Sequence, residues 1–411
     1  MQPVLVPARP VIMGLGAGFA RLWVVGTVSA VGDGVTMVAG PLLAAALTRD
    51  PVQVAGLAVA QQSAGLVFGL PGGALVDRVG RRRVLVVAAL TRSVALAVLG
   101  LVLLAGQASL WLLYLVFFVV GCAGVVFENA ASTMVPALVG PAGLARAHGR
   151  LLGSAVVGRD LLAKPVGAML FVVAVWVPFL VDAGALLLVA ALCLRLPAGV
   201  AERGGPRGSL WAEMAGGVRW LLRHRVLRAL TAVIAVSNVA LGAMAAVLVL
   251  IARERLGLGE VGYGLLLVAA AVGGVLGGLL ADRLIGWLGV PVFLRAGFAL
   301  EAVAHLVLAV SREVVVVAAA LMVFWGYLVV SSTVGASLRQ SLVPAELLGR
   351  VHSSYRWLSG AAMLAGSALG GVLARYFGLA APFWLGAVGV GLLVLVFPVR
   401  VFRGVTLATT R

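Results

Sequence analysis
Gly72–Arg83 reads GGALVDRVGRRR. One aspartate and four arginines sit between an apolar run from Val52 to Val76 and another from Val84 to Ala105. Runs of roughly 20 apolar residues are long enough to cross a bilayer. The rest of the chain repeats this texture. Of its 411 residues 63% are hydrophobic and 11% charged, whereas soluble domains carry about 25% charged residues. The reading is an all-α integral membrane protein, because only helices or closed barrels satisfy the backbone in lipid. A barrel would alternate apolar and polar residues over segments of about ten, and these runs do not alternate.

Twelve runs can be counted, starting near Leu22, Val54, Val84, Leu110, Leu151, Pro178, Leu227, Tyr263, Phe293, Val314, Trp357 and Ala381. An even number puts both ends of the chain on one side. If that side is the cytoplasm, inner segments hold 23 arginines and outer loops five, an asymmetry that orients the bundle. This placement explains the net charge of +17 better than nucleic-acid binding does, since no basic domain is present. The expected organisation is a cytoplasmic tail (1–19), a six-helix half (20–196), a cytoplasmic linker (197–226), a second six-helix half (227–402) and a short cytoplasmic tail (403–411). The linker contains SLWAEMAGGVRWLLRHRVLRAL from Ser209, with Trp211, Val218, Leu221 and Leu222 at helical spacing. It reads as an amphipathic helix on the inner leaflet. Cys122 and Cys193 lie in apolar runs far from other metal-ligand residues, so no disulfide, metal site or cofactor is expected. No Walker-type loop or catalytic constellation appears, so the chain does not read as an enzyme.

The opening stretch has a weaker echo. Gly278–Gly289, GLLADRLIGWLG, resembles it, with Asp282 lying 205 residues after Asp77. Internal repeats of this kind mark secondary transporters, with substrate bound between the halves. The pattern Gly73-x-Leu75-x-Asp77-Arg78-x-Gly80-Arg81-Arg82 resembles the signature loop between spans 2 and 3 of the major facilitator superfamily, and Asp282-Arg283 its second copy. RLWVVGTVSAVGD from Arg21, LTRDPVQVAGL from Leu47, VPALVGPAGLARAHG from Val135 and HRVLRAL from His224 resemble the macrolide-efflux and enterobactin-export branch. The resemblance implies two pseudo-symmetric six-helix halves, monomeric, in the plasma membrane. It implies alternating-access export of a small amphiphilic compound (a drug, antibiotic or siderophore) against protons. The alternative is a dedicated exporter, importer or uniporter of one metabolite. In this family the signature loop steadies one state of the cycle. Two departures stand out: span 4 has no arginine, and span 5 reads LLAKPVGAML, with Ala163-Lys164 before Pro165.

Charges inside the spans are the site candidates, because each needs a cavity or a partner. Asp33 lies midway along span 1 and Glu128 in span 4. Arg159, Asp160 and Lys164 lie in span 5, where Asp160 and Lys164 are spaced to pair or to line a cavity. Glu301 and His305 are also four apart and could carry a proton, although the resembled fold puts span 9 at the periphery. Arg92 can snorkel inward, or pair with Asp33 or Glu128. Asp182 reads as an interface or capping residue. Gly273/Gly277, Gly274/Gly278 and Gly366/Gly370 read as close-contact helix faces. Trp325 and Tyr327 could line a cavity or pack in the core.

Overall fold
The computed structural model describes residues 15–69, 79–197 and 210–396. Every regular element among them is helical. The helices are α1 (Gly16–Leu47), α2 (Pro51–Phe68), α3 (Arg81–Leu104), α4 (Leu110–Ala155), α5 (Lys164–Val173) and α6 (Val177–Leu194). They continue as α7 (Leu210–Arg223), α8 (Arg225–Leu250), α9 (Glu260–Val310), α10 (Val314–Leu342), α11 (Ala345–Phe377) and α12 (Ala381–Val396). Among the described residues, eight helical stretches are long and apolar enough to cross a membrane.

Two long helices change direction at a glycine. Gly140 in α4 has φ +64° and Gly289 in α9 has φ +67°, a region that side chains with a Cβ rarely adopt. Residues 278–288 continue the helix, and the break falls at Gly289, the last residue of the stretch that echoes residues 72–83. Two wide turns with i→i+5 bonding follow α4 (Val156–Ala163) and α8 (Ile251–Arg255). The ends are capped as the sequence allows. Asp50 accepts the Val52 N–H at 2.9 Å ahead of Pro51, and the His224 ring accepts the Leu227 N–H at 3.4 Å.

Packing differs between the two ends of the bundle. At the end formed by the short turns (48–50, 105–109, 174–176, 378–380), one apolar core joins helices from both parts of the chain. Leu42, Leu57, Phe117 and Phe179 meet Val247, Tyr263, Phe324 and Phe383 there. At the opposite end, where α1 and α7 begin, the buried residues fall into two separate cores. Phe19, Leu85, Phe127 and Val189 form one, and Leu221, Phe293, Val334 and Val390 the other. The bundle is thus sealed at the hairpin end and divided at the tail end.

The seal runs along α2 against α11 and α5 against α9. Asp50 pairs with Arg375 at 3.1 Å. Gln62 Nε2 donates to Ser367 Oγ at 3.0 Å, and Ser367 Oγ donates to the Gly242 carbonyl at 3.1 Å. Two of the three expected glycine faces make close backbone contact; Gly274/Gly278 does not, since a Cβ there meets only the Val329 side chain at 3.3 and 3.7 Å. A Cβ on Gly273 or Gly277 would strike the α10 backbone at Met322 or Gly326, and one on Gly366 or Gly370 the α8 backbone. Helix α7 packs on α11, with Gly217 against Ser354 and Leu221 in the second tail-end core. It belongs to the packed bundle, beyond the role of a surface float.

Candidate functional site
A cavity of about 910 Å³ lies within the part of the bundle that divides at the tail end. It is bordered by α1, α2, α3, α4 and the wide turn after α4. Its apolar wall includes Phe117, Val120, Val125 and Phe127, and its polar wall Asp33, Gln61, Glu128, His148 and Arg159. Among the described residues, those lining it all precede residue 160.

The innermost polar group is Arg92, 2% exposed. A guanidinium there must be paired. Its Nη2 forms an ion pair with Asp33 and its Nη1 donates to Ser29 Oγ at 3.2 Å. Of the alternatives open from sequence, Arg92 therefore takes Asp33. The Asp33 side chain is 35% exposed and forms part of the cavity wall, so the ion pair lies between the wall and the core. Asp182 completes the group: of its two readings, interface or capping residue, it takes the first, buried between α1, α3 and α6. It is 1% exposed, accepts a hydrogen bond from Thr36 Oγ1 and lies in the field of Arg92. Gly32 makes room for it, since a Cβ there would strike Asp182 Oδ1. Sequence spacing could not reveal this neighbourhood, because its partners come from α1 and α3. The signal was the acid itself inside VPFLVDAGALLLV, a position that needs a partner.

Glu128 is exposed on the cavity wall and feels Asp33, Arg159, Arg92 and, from α11, Arg356. Arg159 and Asp160 sit in the wide turn, an irregularity often found at functional positions. Arg159 reaches the cavity wall. Asp160 pairs with Lys164 at 3.0 Å and Arg159 at 3.3 Å, so the expected i,i+4 pair forms and the three charges neutralise in part. A Cβ on Gly34 would strike the Arg159 carbonyl, which places this turn directly against α1.

The remaining candidates lie elsewhere. Glu301 and His305 are 1% and 0% exposed and take no part in the cavity. The Glu301 carboxylate accepts from Ser237 Oγ at 3.0 Å. His305 Nδ1 meets the Glu301 backbone carbonyl at 2.9 Å, so the two side chains form no proton-sharing pair. Tyr327 is buried core, and Trp325 packs against the hairpin-end core. Within the signature stretch, Gly73, Asp77 and Arg78 lie outside the described residues. Gly80 has φ +93° and precedes the first turn of α3, which begins with Arg81 and Arg82. Arg82 Nη1 donates to the Leu196 carbonyl at 3.4 Å. Asp282 and Arg283 are exposed on α9.

Comparison with known proteins matches this architecture. No curated protein sequence matches the chain. Among solved structures, a point mutant of the nucleoside transporter NupG is similar, with TM-score 0.78 and 10% identity, covering 92% of this chain and 98% of that one. NupG itself gives TM-score 0.74 at 12% identity, covering 95% and 100%. A bacterial homologue of the iron transporter ferroportin in an inward-facing state gives TM-score 0.72 at 18% identity, covering 94% and 98%. At these identities the likeness is one of fold. The sequence profile of the Major Facilitator Superfamily matches residues 22–356. With an all-helical bundle and a polar cavity inside it, the chain belongs to that superfamily and is a membrane transporter, not an enzyme.

Proposed function
We propose that the chain is a twelve-span exporter of small amphiphilic compounds, driven by protons moving inward through alternating access. Eight stretches qualify as spans outright. The break at Gly289 divides one of them, and Pro51–Phe68, 141–173 and Ala381–Val396 complete the number. The halves are 20–196 and 227–402, the tail end faces the cytoplasm, and the protein works as a monomer in the plasma membrane. In this frame the cavity is open inward. Gly73 to Arg82, with Asp282 and Arg283, would steady the opposite state.

One observation carries the reading. A single cavity wall combines aromatic and aliphatic side chains with two carboxylates, Asp33 and Glu128, that solvent can reach. An amphiphile needs the first and proton exchange needs the second. Asp33 is the leading coupling residue because its partner Arg92 is buried and must be answered whenever Asp33 is neutralised. Asp160 ranks below it, being held by Lys164 and Arg159.

The test uses inside-out vesicles with an acidified lumen, to which siderophores, macrolides, cationic dyes and a nucleoside are added in turn. One class is expected to release luminal protons. Asp33→Asn, present in the membrane at normal amounts, is expected to abolish that release. Compound uptake with no proton movement would remove the antiport reading. A second reading, dedicated transport of one anionic metabolite, draws on the cations Arg159 and Arg356 acting on Glu128. Proton release with anionic compounds alone would favour it.

A further inference from the structure
We propose that Asp182 is a proton-binding site, loaded in the conformation described here, and that Arg92 is exchanged between it and Asp33. The inference deepens the proton-antiport reading and rests on it for its place in a cycle.

The argument starts from charge. Two carboxylates, Asp33 on α1 and Asp182 on α6, share the field of one guanidinium, Arg92 on α3. Asp33 holds it in an ion pair. Asp182 is left with one donor, the Thr36 hydroxyl on α1, while its Oδ1 is buried without a partner. Glu128 on α4 also acts on Asp33 and Arg92 and brings no positive charge, and Arg159 and Arg356 act on Glu128 in turn. On α3, the neighbouring Ser93 gives its hydroxyl to the Ala183 carbonyl at 2.7 Å, so it is not available either. A bare carboxylate at 1% exposure with an empty oxygen is strongly disfavoured. A proton on Asp182 removes that charge and leaves the Thr36 bond intact.

The geometry also supplies a way out for the proton. Arg92 Nε has no acceptor, so the guanidinium has a donor to spare for Asp182. When Arg92 passes from Asp33 to Asp182, the Asp182 proton moves to Asp33. The carboxylic acid on α6 becomes a carboxylate, the carboxylate on α1 becomes an acid, and the net charge of the trio is unchanged. Asp33, on the cavity wall, then gives the proton to solvent at the tail end. Asp182 lies about 8 Å along α6 from its hairpin end, at 1.5 Å per residue from Val177. It is therefore placed to be loaded from the hairpin side when that end opens.

Infrared difference spectroscopy on the purified full-length protein tests this with no substrate. The wild type is expected to show a protonated-carboxyl band that persists at neutral pH and is lost in Asp182→Asn. Asp182→Glu should keep the band at a shifted frequency. Asp33→Asn should also lose it, because Arg92 then passes to Asp182 and ionises it; a purely structural Asp182 would not respond. Glu301→Gln is the control for the other buried acid and should leave the Asp182 component in place. An unchanged spectrum in Asp182→Asn, or in Asp33→Asn should the first variant fail to fold, overturns the proposal. So does a band that is absent in sodium buffer and present in choline, which would mean a metal cation sits there. Failure of the vesicle assay with the band present would sink the export reading alone.

Discussion

The two parts of the bundle treat intramembrane charge in opposite ways. Before residue 195, Asp33, Glu128 and Arg159 border an open cavity, with Arg92 and Asp182 directly behind them. After residue 225, Glu301 and His305 are sealed among α8, α9, α10 and α12, with Ser237, Phe324 and Gly386 around them. Both parts are helical, and the echo at Asp282 links their sequences. The difference shows that polar side chains bordering a cavity need not recur in the other part of the chain, even where the sequence echoes. A buried acid can exchange a proton only through a neighbour that solvent reaches: Asp182 has Asp33 on the cavity wall beyond Arg92, whereas Glu301 and His305 border no cavity.

The largest effect expected from this contrast concerns glycine. In the dry part, Gly273 crosses α10 so closely that a Cβ would strike the Met322 carbonyl. In the open part, Gly124 lines the cavity and nothing lies within 4 Å of the same added atom. Gly273→Ala should therefore destabilise by about 1–3 kcal/mol or more, since backbone cannot move aside as a side chain can. Gly124→Ala should be neutral or stabilise by up to about 1 kcal/mol, the usual gain of alanine in a helix. Thermal unfolding of the two purified variants in one detergent checks this. Equal losses would mean that the open wall is in truth packed.

Next comes function. Asp33→Asn should abolish proton-coupled transport, whereas Glu301→Gln should change it by less than about twofold, because the amide keeps an acceptor for Ser237 Oγ. Transport initial rates in the same vesicles, at matched protein amounts, give the comparison. A Glu301→Gln variant as inactive as Asp33→Asn would break the contrast between the parts and return span 9 to the coupling mechanism.

How much of this was readable in the sequence depends on the range of each interaction. Local features were legible. The Asp160–Lys164 pair follows from i,i+4 spacing, and the short turns 105–109 and 174–176 from the gaps between apolar runs. The glycine faces of α9 and α11 follow from small residues four apart. The family was legible from residues 72–83, although Gly73, Asp77 and Arg78 lie outside the described residues. Burial was not legible. Glu301 and His305 share a helix face, but only the packing of α10 and α12 shows that this face is closed and that His305 turns to a backbone carbonyl. The partners of Asp182 were not legible because they lie about 90 and 150 residues away in the chain. The break between spans 8 and 9 falls at Gly289, the last residue of the repeat around Asp282, but its exact place was not legible, because the preceding residues continue the helix.

The smallest effect sharpens the other asymmetry, between the sealed hairpin end and the divided tail end. Asp50 and Arg375 join α2 to α11 at 3.1 Å, but their side chains are 25% and 52% exposed. Such a pair contributes at most about 1 kcal/mol. Arg375→Ala should thus raise the population open at the hairpin end by no more than about fivefold. Asp50→Ala should do the same and also loosen the start of α2, because Asp50 caps the Val52 N–H. Labelling of a cysteine introduced at Ala374, buried in the hairpin-end core, reads the opening in both variants. A much larger rise with Arg375→Ala would mean that this one pair holds the end closed. The shared core of Leu42, Phe117, Val247 and Phe324 would then contribute little to the choice between states, which its burial argues against: four large apolar side chains, all 2% exposed or less, outweigh one half-solvated ion pair.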